Sequence, residues 1–152
     1  MRLYRIADRR YKPASGEGAR LYAARWNSAG RAVIYACTTF AGAMLEKLVH
    51  TGRQIPKNQV CVTFEVPESV VAETLDLARH PGWDAANAAV SRAAGDAWLA
   101  GAESAVLLVP SVVFDVERNA LINPDHPETA RIQTVSVESV RWDDRLFTPL
   151  HR

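Results

Sequence analysis

The segment from residue 58 to residue 66 constrains the fold most, because apolar side chains recur at every second position along it. Successive side chains of an extended chain point to opposite faces, so the four apolar side chains from Val60 to Val66 would share one face. This alternation predicts a β-strand with that face in a core. Pro67 closes the strand, since proline lacks the backbone N–H that a sheet ladder uses.

Further strands and two helices are predicted from periodicity and turn residues. The predicted strands are residues 2–7, 32–37, 105–109 and 134–142, the last with a bulge because its valines fall out of phase. The predicted helices run from an N-cap at Thr38 or Thr39 to about His50, and from Asp84 to near Gly101. Residues 8–24 are predicted to form a long loop and residues 119–124 a turn.

Nothing in the sequence divides the chain, since it has no internal repeat, low-complexity segment or change of composition that would mark a linker. Its 152 residues, 48% apolar and 23% charged, have the length and balance of one globular domain. We therefore expect a single α+β domain spanning residues 1–152, with a mostly antiparallel sheet and flanking helices.

The net charge and hydropathy exclude some classes of function. The chain carries 18 Lys and Arg against 17 Asp and Glu, a formal net charge of +1, whereas proteins that bind nucleic-acid phosphates are usually strongly basic. No stretch approaches the roughly 18 apolar residues of a membrane span, and the first residues lead into charged sequence instead of a signal peptide. We expect a cytoplasmic protein with no direct nucleic-acid binding and no membrane segment.

The cysteines and histidines do not suggest a metal site. Cys37 and Cys61 each lie in an apolar run and are expected to be buried thiols. The four histidines, the last of them His151, lack the paired spacing of a motif such as H-E-x-x-H. We expect no bound metal.

Positive charge is concentrated near the start of the chain. Up to Arg31 there are eight Lys and Arg against two Asp and Glu, and the remainder carries ten against fifteen. Such a cluster suits a small polyanion, such as the pyrophosphate of a nucleotide, better than a long phosphate backbone. The alternative for most of these arginines is a solvated surface with chance clustering.

Glu46 is the first candidate for chemistry. It falls just beyond the apolar arc of its predicted helix, and its neighbours one turn earlier are Gly42 and Ala43. A carboxylate beside residues with almost no side chain has space next to it for a ligand. The alternative, and the commoner case, is a boundary glutamate that pairs with a lysine or arginine across the surface.

Four further residues are candidates for the same site. Arg25 ends the basic loop and could present its planar guanidinium to a phosphate, or stack on the surface. Tyr35 lies within an apolar strand, where its ring would pack and its hydroxyl would need a partner. Ser111 and Asn123, each beside a proline, are ordinary turn residues when taken alone.

Together, the motifs around these residues resemble those of the RES-domain toxins, the toxin halves of bacterial toxin–antitoxin pairs, named for an arginine, a glutamate and a serine. The matching stretches, in the family's order, are Ala24-Arg25-Trp26-Asn27-Ser28-Ala29-Gly30, Val33-Ile34-Tyr35, Ala43-Met44-Leu45-Glu46, Val109-Pro110-Ser111 and Asn119-Ala120-Leu121-Ile122-Asn123-Pro124-Asp125-His126. They cover nearly the whole chain. Ala24 departs from the pattern, because a glycine commonly precedes the arginine, and this concerns the local loop conformation and not the chemistry.

The resemblance implies a fold similar to the diphtheria-toxin-like ADP-ribosyltransferases and NAD as the substrate. Carried over by motif, Glu46, Arg25 and Tyr35 are the expected catalytic residues, and Ser111 and Asn123 are expected to bind substrate. The toxin would arrest growth by hydrolysis or phosphorolysis of NAD, or by transferring ADP-ribose to a protein. The sequence leaves water, phosphate and protein open as acceptors. The implied partner is an Xre-type helix-turn-helix antitoxin that blocks the active site in a hetero-oligomer.

NAD cleavage explains these residue types. The reaction passes through an oxocarbenium-like state in which the pyridinium leaves neutral, so no strong general acid is needed. On this interpretation Glu46 accepts a ribose hydroxyl and stabilises the cation, Tyr35 stacks on the nicotinamide and Arg25 anchors the pyrophosphate. Ser111 either bonds the ribose or orients a neighbouring residue, and Asn123 either contacts substrate or only stabilises its turn.

A non-catalytic binding module and a nuclease-type toxin are the alternatives from other classes of function. The near-neutral net charge and the lack of a histidine pair or metal motif weigh against a nuclease. For a binding module, replacing Glu46 by alanine would leave growth inhibition intact.

Overall fold

The computed structural model describes residues 1–52 and 54–147, so His151 and the end of the expected domain at residue 152 lie outside the described residues. The strands are β1 (Arg2–Asp8), β2 (Ile34–Cys37), β3 (Gln59–Glu65), β4 (Ala72–Thr74), β5 (Val106–Pro110), β6 (Arg118–Ile122) and β7 (Gln133–Ser139). The α-helices are α1 (Glu17–Leu21), α2 (Phe40–His50) and α3 (Ala89–Gly101). Short 3-10 helices lie at Leu77–Arg79, Pro127–Arg131 and Asp144–Leu146.

The strands of the described residues form one seven-stranded sheet in the order β4-β5-β6-β2-β1-β3-β7. Neighbouring strands pair antiparallel throughout, except that β4 and β5 are parallel. The expected α+β architecture with a mostly antiparallel sheet is therefore confirmed. None of the described helices combines the length and the apolar character needed to cross a bilayer.

The pairing between β1 and β2 is much shorter than that of their neighbours. These two strands register only at Tyr4 and Cys37, whereas β1 pairs with β3 along its whole length. Next to this point the Arg5 side chain donates from Nη1 to the carbonyl oxygen of Tyr35, at 2.8 Å, and from Nε to that of Pro13, also at 2.8 Å. A guanidinium thus satisfies a strand carbonyl that a backbone N–H would otherwise satisfy.

The inner strands of the sheet carry a core on each face, whereas the edge strands β4 and β7 are largely exposed. One core comprises Leu3, Ile34, Ala36, Val62, Phe64, Val66, Val70, Ala105, Val106, Ala120 and Ile122. The other comprises Trp26, Val33, Ala94, Trp98, Leu107, Val109 and Leu121, with Tyr35 packed against it. The second core lies beneath α3, which supplies Ala94 and Trp98, and beneath the loop that carries Trp26.

Helix α2 begins and ends where the sequence predicts. Thr39 is its N-cap, and the Thr39 hydroxyl accepts a hydrogen bond from the Gly42 backbone N–H at 2.9 Å. This satisfies one of the N–H groups that the first turn leaves without a helical partner. The helix ends at His50, and Gly52 follows with a φ of +59°, a conformation that favours glycine.

Helix α3 begins later than predicted, at Ala89 and not near Asp84. The residues before it form turns, and the Asn87 side chain accepts a hydrogen bond from the Ala89 backbone N–H at 3.1 Å. The middle of α3 packs directly against the backbone of the loop that carries Trp26. A Cβ on Gly95 would lie 1.8 Å from the carbonyl oxygen of Trp26. Only glycine allows this approach.

Two predictions about the connections were wrong, and the bulge expected in the last strand lies earlier than predicted. Residues 119–124 were expected to be a turn, yet most of them form β6, an internal strand in which Ala120, Leu121 and Ile122 are almost fully buried. The expected loop 8–24 contains α1, and β4 was not predicted. In β7, Ser136 pairs with Thr63 and Thr134 with Phe64, so a bulge is present with Val135 as its extra residue. It lies before the change of phase between Val137 and Val140 from which the bulge is predicted, and that part of the strand pairs regularly up to Ser139.

Candidate functional site

Glu46 lies on α2 with one carboxylate oxygen held and the other available. Its Oε1 accepts hydrogen bonds from Ser111 Oγ and from Asn119 Nδ2, each at 2.8 Å. Its Oε2 receives no hydrogen bond from the described residues, and no lysine or arginine among them forms an ion pair with Glu46. The carboxylate is therefore oriented by neutral donors and presents one acceptor atom outward.

Ser111 is held so that its only hydroxyl proton faces Glu46. The Ser111 Oγ accepts hydrogen bonds from the backbone N–H groups of Val113 and Phe114, each at 3.1 Å. Because both acceptor positions of the hydroxyl are taken, the proton is left for the carboxylate. The turn that begins at Ser111 thus orients Glu46, and Ser111 itself is buried.

Asn119 links Glu46 to the sheet. It lies on β6 opposite Cys37 of β2, and its Oδ1 accepts a hydrogen bond from Cys37 Sγ at 3.2 Å. Burial, followed by the negative charges of Glu46 and Glu117, raises the pKa of the Cys37 thiol to about 12, so it is a neutral donor at physiological pH. Cys37 and Cys61 are both buried free thiols, as expected.

A small depression lies against Glu46. Its lining residues are Gly42, Leu45, Glu46, Ser111, Val113, Phe114, Glu117 and Asn119. Ligand pockets usually occupy about 300 Å³ or more, whereas this depression has essentially no room for a water molecule, so part of a dinucleotide could enter only if the lining side chains moved. Two carboxylates line it, and none of its lining residues is a lysine or arginine. Glu117 is tied to the start of α2, where its Oε2 accepts a hydrogen bond from the Thr39 hydroxyl at 2.9 Å.

Tyr35 fastens the loop that carries Arg25. Its hydroxyl accepts a hydrogen bond from the Trp26 backbone N–H at 3.1 Å and donates one to Asn27 Oδ1 at 2.7 Å. Burial raises the pKa of Tyr35 far above its ordinary value, so the hydroxyl keeps its proton. Asn27 is fully buried, and its amide donates to the carbonyl oxygen of Ala19 at 2.7 Å. The loop is therefore fixed from two sides.

Removing the Tyr35 hydroxyl is expected to loosen this loop. In Tyr35→Phe the Trp26 N–H and the Asn27 Oδ1 would both lose a partner, and we expect the free energy of unfolding to fall by about 1–3 kcal/mol. Denaturant unfolding followed by tryptophan fluorescence measures the change. The exposed Tyr22 gives the matched control, Tyr22→Phe, for which we expect no change. Equal stability of both variants would contradict the role assigned to the hydroxyl.

Arg25 is half-buried and uses one edge of its guanidinium within the protein. Nη1 donates to the carbonyl oxygens of Trp83, at 3.2 Å, and Ala85, at 3.1 Å. Nε and Nη2 donate to no other described residue. A guanidinium fixed in this way keeps two parallel N–H groups for an anion, the geometry in which arginine binds phosphate.

The predicted residues form two groups over one face of the sheet. Tyr35 and Cys37 are two positions apart on β2, so their side chains share a face and their Cα atoms are about 7 Å apart. Cys37 contacts the group formed by Glu46, Ser111 and Asn119, and Tyr35 contacts the loop of Arg25. The depression beside Glu46 reaches neither Arg25 nor Tyr35.

Asn123 is set apart from both groups. It follows β6 at the end opposite Asn119, where its Oδ1 accepts from the Asp125 N–H at 3.0 Å and its carbonyl oxygen accepts from the Thr129 hydroxyl at 2.6 Å. It lines a separate polar depression that also includes Arg31. Its backbone N–H donates to the carbonyl oxygen of Ala105 at 3.0 Å, so the bonds of Asn123 serve its turn and the neighbouring chain and do not reach Glu46.

Part of the positive charge near the start of the chain is paired within the protein. The ion pairs join Arg2 to Glu65, Arg10 to Asp8 and Arg20 to Glu17. These three arginines are therefore explained as surface residues that pair with carboxylates, without a bound ligand. Among residues 1–52 and 54–147, no three His, Cys, Asp or Glu side chains are grouped to hold a metal ion.

Sequence reasoning missed the role of Asn119 and of Asn27. The sequence places Asn119 in a predicted turn, and its position opposite Cys37 of the neighbouring strand is visible only in the folded sheet. For Asn27, the available signal was its place directly after Arg25 and Trp26.

Comparison with known proteins gives concordant matches along the chain. The family model described as "RES domain" matches residues 2–143. The chain is 40% identical over 138 residues to the "Prs ADP-ribosylating toxin" of Sphingobium sp. (strain YBL2), covering 88% of this chain and 86% of that protein. It is 37% identical over 150 residues to "Toxin Res" of Pseudomonas putida, covering 97% of this chain and all of that protein.

A solved structure shares the fold. The chain superposes on a protein in the crystal structure of the M. tuberculosis MbcT–MbcA toxin–antitoxin complex with a TM-score of 0.71, covering 96% of this chain and 86% of that one. The two sequences are 19% identical, so the likeness concerns the fold alone.

Proposed function

This chain belongs to the RES-domain toxins, and from that premise we propose that it cleaves the nicotinamide–ribose bond of NAD. The observation that carries the proposal is the Glu46 carboxylate, which is held by two neutral donors on Oε1 and presents Oε2 beside a small depression. A fixed anion with one available acceptor atom suits the stabilisation of positive charge that develops on a sugar.

In the proposed reaction, the bond between the ribose C1′ and the nicotinamide nitrogen breaks, and its electron pair leaves with the nicotinamide. The nicotinamide departs neutral, and the ribose becomes cationic. Glu46 accepts a hydrogen bond from a ribose hydroxyl through Oε2 and stabilises the cation by its charge. An acceptor then bonds to C1′. When the acceptor is water, the products are nicotinamide, ADP-ribose and a proton.

Arg25 and Tyr35 would hold the remainder of the substrate. The free edge of the Arg25 guanidinium suits a pyrophosphate oxygen pair, and Tyr35 keeps that arginine's loop in place while offering a ring on which nicotinamide could stack. Ser111 would act by orienting Glu46, and Asn123 by stabilising its turn.

Transfer of ADP-ribose to a protein is the second candidate, and two observations favour it. A relative that is 40% identical is named an ADP-ribosylating toxin. The loop after Ser111, which borders the depression, exposes Val112, Phe114 and Val116 at 45%, 46% and 80%, and exposed apolar side chains of this kind suit contact with a protein. The two carboxylates that line the depression would also repel a phosphate acceptor.

We propose that an antitoxin protein of the Xre helix-turn-helix type neutralises the toxin in a hetero-oligomer. The sequence resemblance suggests the antitoxin class, and the toxin–antitoxin complex that shares the fold supports a protein partner.

The test is to incubate the purified chain, freed of any partner, with NAD labelled in its ADP-ribose part. Release of nicotinamide supports cleavage, and intact NAD in the presence of water, phosphate and a bacterial lysate would refute it. The position of the label identifies the acceptor: free ADP-ribose indicates water, its 1″-phosphate indicates phosphate, and a labelled protein band indicates transfer.

Replacing Arg25 by lysine is expected to weaken NAD binding more than it slows the chemical step. Lysine keeps the charge but loses the planar pair of N–H groups, so KM should rise about 10- to 100-fold, the factor for one charged hydrogen bond. Steady-state kinetics of nicotinamide release measures KM and kcat separately. The exposed Arg141 provides the control Arg141→Lys, for which we expect wild-type constants. An unchanged KM for Arg25→Lys would remove Arg25 from the binding site.

A further inference from the structure

We propose that Asn119 is a positioning residue that holds Glu46 in its reactive orientation, and that the Cys37 thiol fixes the direction of the Asn119 amide. The inference deepens the proposed cleavage of NAD and rests on it for its kinetic test. It also has a structural test that needs no NAD.

The chemistry of the three side chains determines which way the Asn119 amide points. An ionised carboxylate only accepts hydrogen bonds, so the amide nitrogen of Asn119 must be the atom that faces Glu46. The amide oxygen then faces β2, where Cys37 Sγ lies 3.2 Å away and supplies a proton. The result is a chain of donors that runs from the thiol through the amide to Glu46 Oε1.

The anchor that Asn119 provides differs from the anchor that Ser111 provides. Asn119 belongs to an internal strand, with its backbone paired to Cys37 on one side and to Val109 on the other. Ser111 opens the partly exposed turn that leads to β6. Groups carried by strands are positioned more rigidly than groups carried by loops. Asn119 therefore fixes Glu46 relative to the sheet, on the same face that carries Tyr35.

Both anchors bind the same oxygen, and this determines what Glu46 can do. With Ser111 and Asn119 on Oε1, rotation of the carboxylate about its last bond would cost both hydrogen bonds. Oε2 is therefore held outward before any substrate arrives. Such preorganisation acts on the rate of the chemical step and not on the affinity for the ground state.

The first test is Asn119→Ala, assayed by nicotinamide release. We expect kcat to fall about 10- to 100-fold, which corresponds to the loss of one hydrogen bond to a charged group. KM should stay within about twofold, because the Asn119 amide is engaged by Glu46 and Cys37 and not by the substrate. An unchanged kcat, or a rise in KM alone, would overturn the inference.

The second test is Asn119→Asp, which keeps the shape and replaces the amide donor by a carboxyl. At neutral pH the two carboxylates repel each other and Glu46 is displaced, whereas at lower pH the new carboxyl holds a proton and donates it as the amide does. We expect the ratio of the variant's kcat to that of the wild type to rise as the pH falls. A ratio that does not change with pH would contradict the inference. Asn58→Asp, at an exposed asparagine directly before β3, is the control and should match the wild type at every pH.

The thiol is tested by two substitutions of similar size. Cys37→Ser keeps a proton donor to the Asn119 amide and should preserve kcat, whereas Cys37→Ala removes it and should lower kcat about 2- to 10-fold, the range for one neutral hydrogen bond. Equal kcat values for the two variants would exclude the thiol from this role.

The NAD-independent test observes the Asn119 amide directly by NMR of 15N-labelled protein. We expect the Nδ2 proton that faces Glu46 to resonate downfield of its geminal partner, and this difference to collapse in Glu46→Ala. If the wild type releases no nicotinamide but the NMR signature is present, the proposed function fails and the positioning of Glu46 stands. If nicotinamide is released and the signature is absent, the positioning inference fails alone.

Discussion

Glu46→Gln is expected to lower kcat for NAD cleavage about 100- to 1000-fold, the loss measured when one preorganised electrostatic contact to a transition state is removed. The fold should be unaffected, because the glutamine carbonyl oxygen can still accept from Ser111 and Asn119 as Oε1 does. The amide nitrogen then occupies the place of Oε2. The atom that faces the substrate is then a neutral N–H donor in place of a negatively charged oxygen, and it can no longer stabilise a cationic ribose.

The measurement is nicotinamide release under single-turnover conditions, together with circular dichroism to show that the fold is retained. Glu138→Gln makes the same chemical change at an exposed position of β7 and should keep the wild-type rate. A Glu46→Gln variant that still cleaves NAD within about threefold of the wild-type rate would remove Glu46 from the chemistry, since preorganised contacts contribute far more than that.

Gly95→Ala is expected to destabilise the protein by about 3 kcal/mol or more, the upper part of the range for overpacking. On helix propensity alone, alanine would stabilise α3 by about 1 kcal/mol. The added Cβ, however, would lie 1.8 Å from the Trp26 carbonyl oxygen and 2.7 Å from its carbon. These are backbone atoms, so the helix or the loop of Arg25 must move.

Denaturant unfolding measures this change, and Gly18→Ala is the matched control, because a Cβ on Gly18 of α1 meets nothing within 4 Å. We expect Gly18→Ala to be neutral or slightly stabilising. Since Arg25 directly precedes Trp26, the Gly95→Ala protein that remains folded should also bind NAD more weakly. A Gly95→Ala variant as stable as the wild type would mean that α3 and the loop are not held as closely as the structure shows.

Local sequence patterns predict those parts of the fold in which one segment determines its own structure. Helix α2 is an example, because its N-cap Thr39 and the glycine that follows its end are encoded within the segment. Strand β6 is the counterexample. Its apolar residues, Ala120 to Ile122, lie between asparagines that favour turns, and only pairing with β2 and β5 makes them a strand.

The same distinction applies to the site. The position of Glu46 beside small residues follows from the helical period, and Gly42 and Ala43 are indeed buried next to it. Its contact with Ser111, 65 positions along the chain, could be expected only through the family resemblance. The role of Asn119 depends on strand register, which a sequence without its fold does not contain.

The single register point between β1 and β2 divides the sheet into two panels, one of four strands and one of three. The panels are joined there by the Tyr4–Cys37 pairing and the Arg5 guanidinium, in place of a continuous ladder. Hydrogen exchange should therefore be fastest at this seam among the interior strands. Tyr35 and Cys37 both lie on β2, the strand that borders this seam. Any sliding of one panel against the other would therefore displace the residues around Glu46 and the loop of Arg25 together.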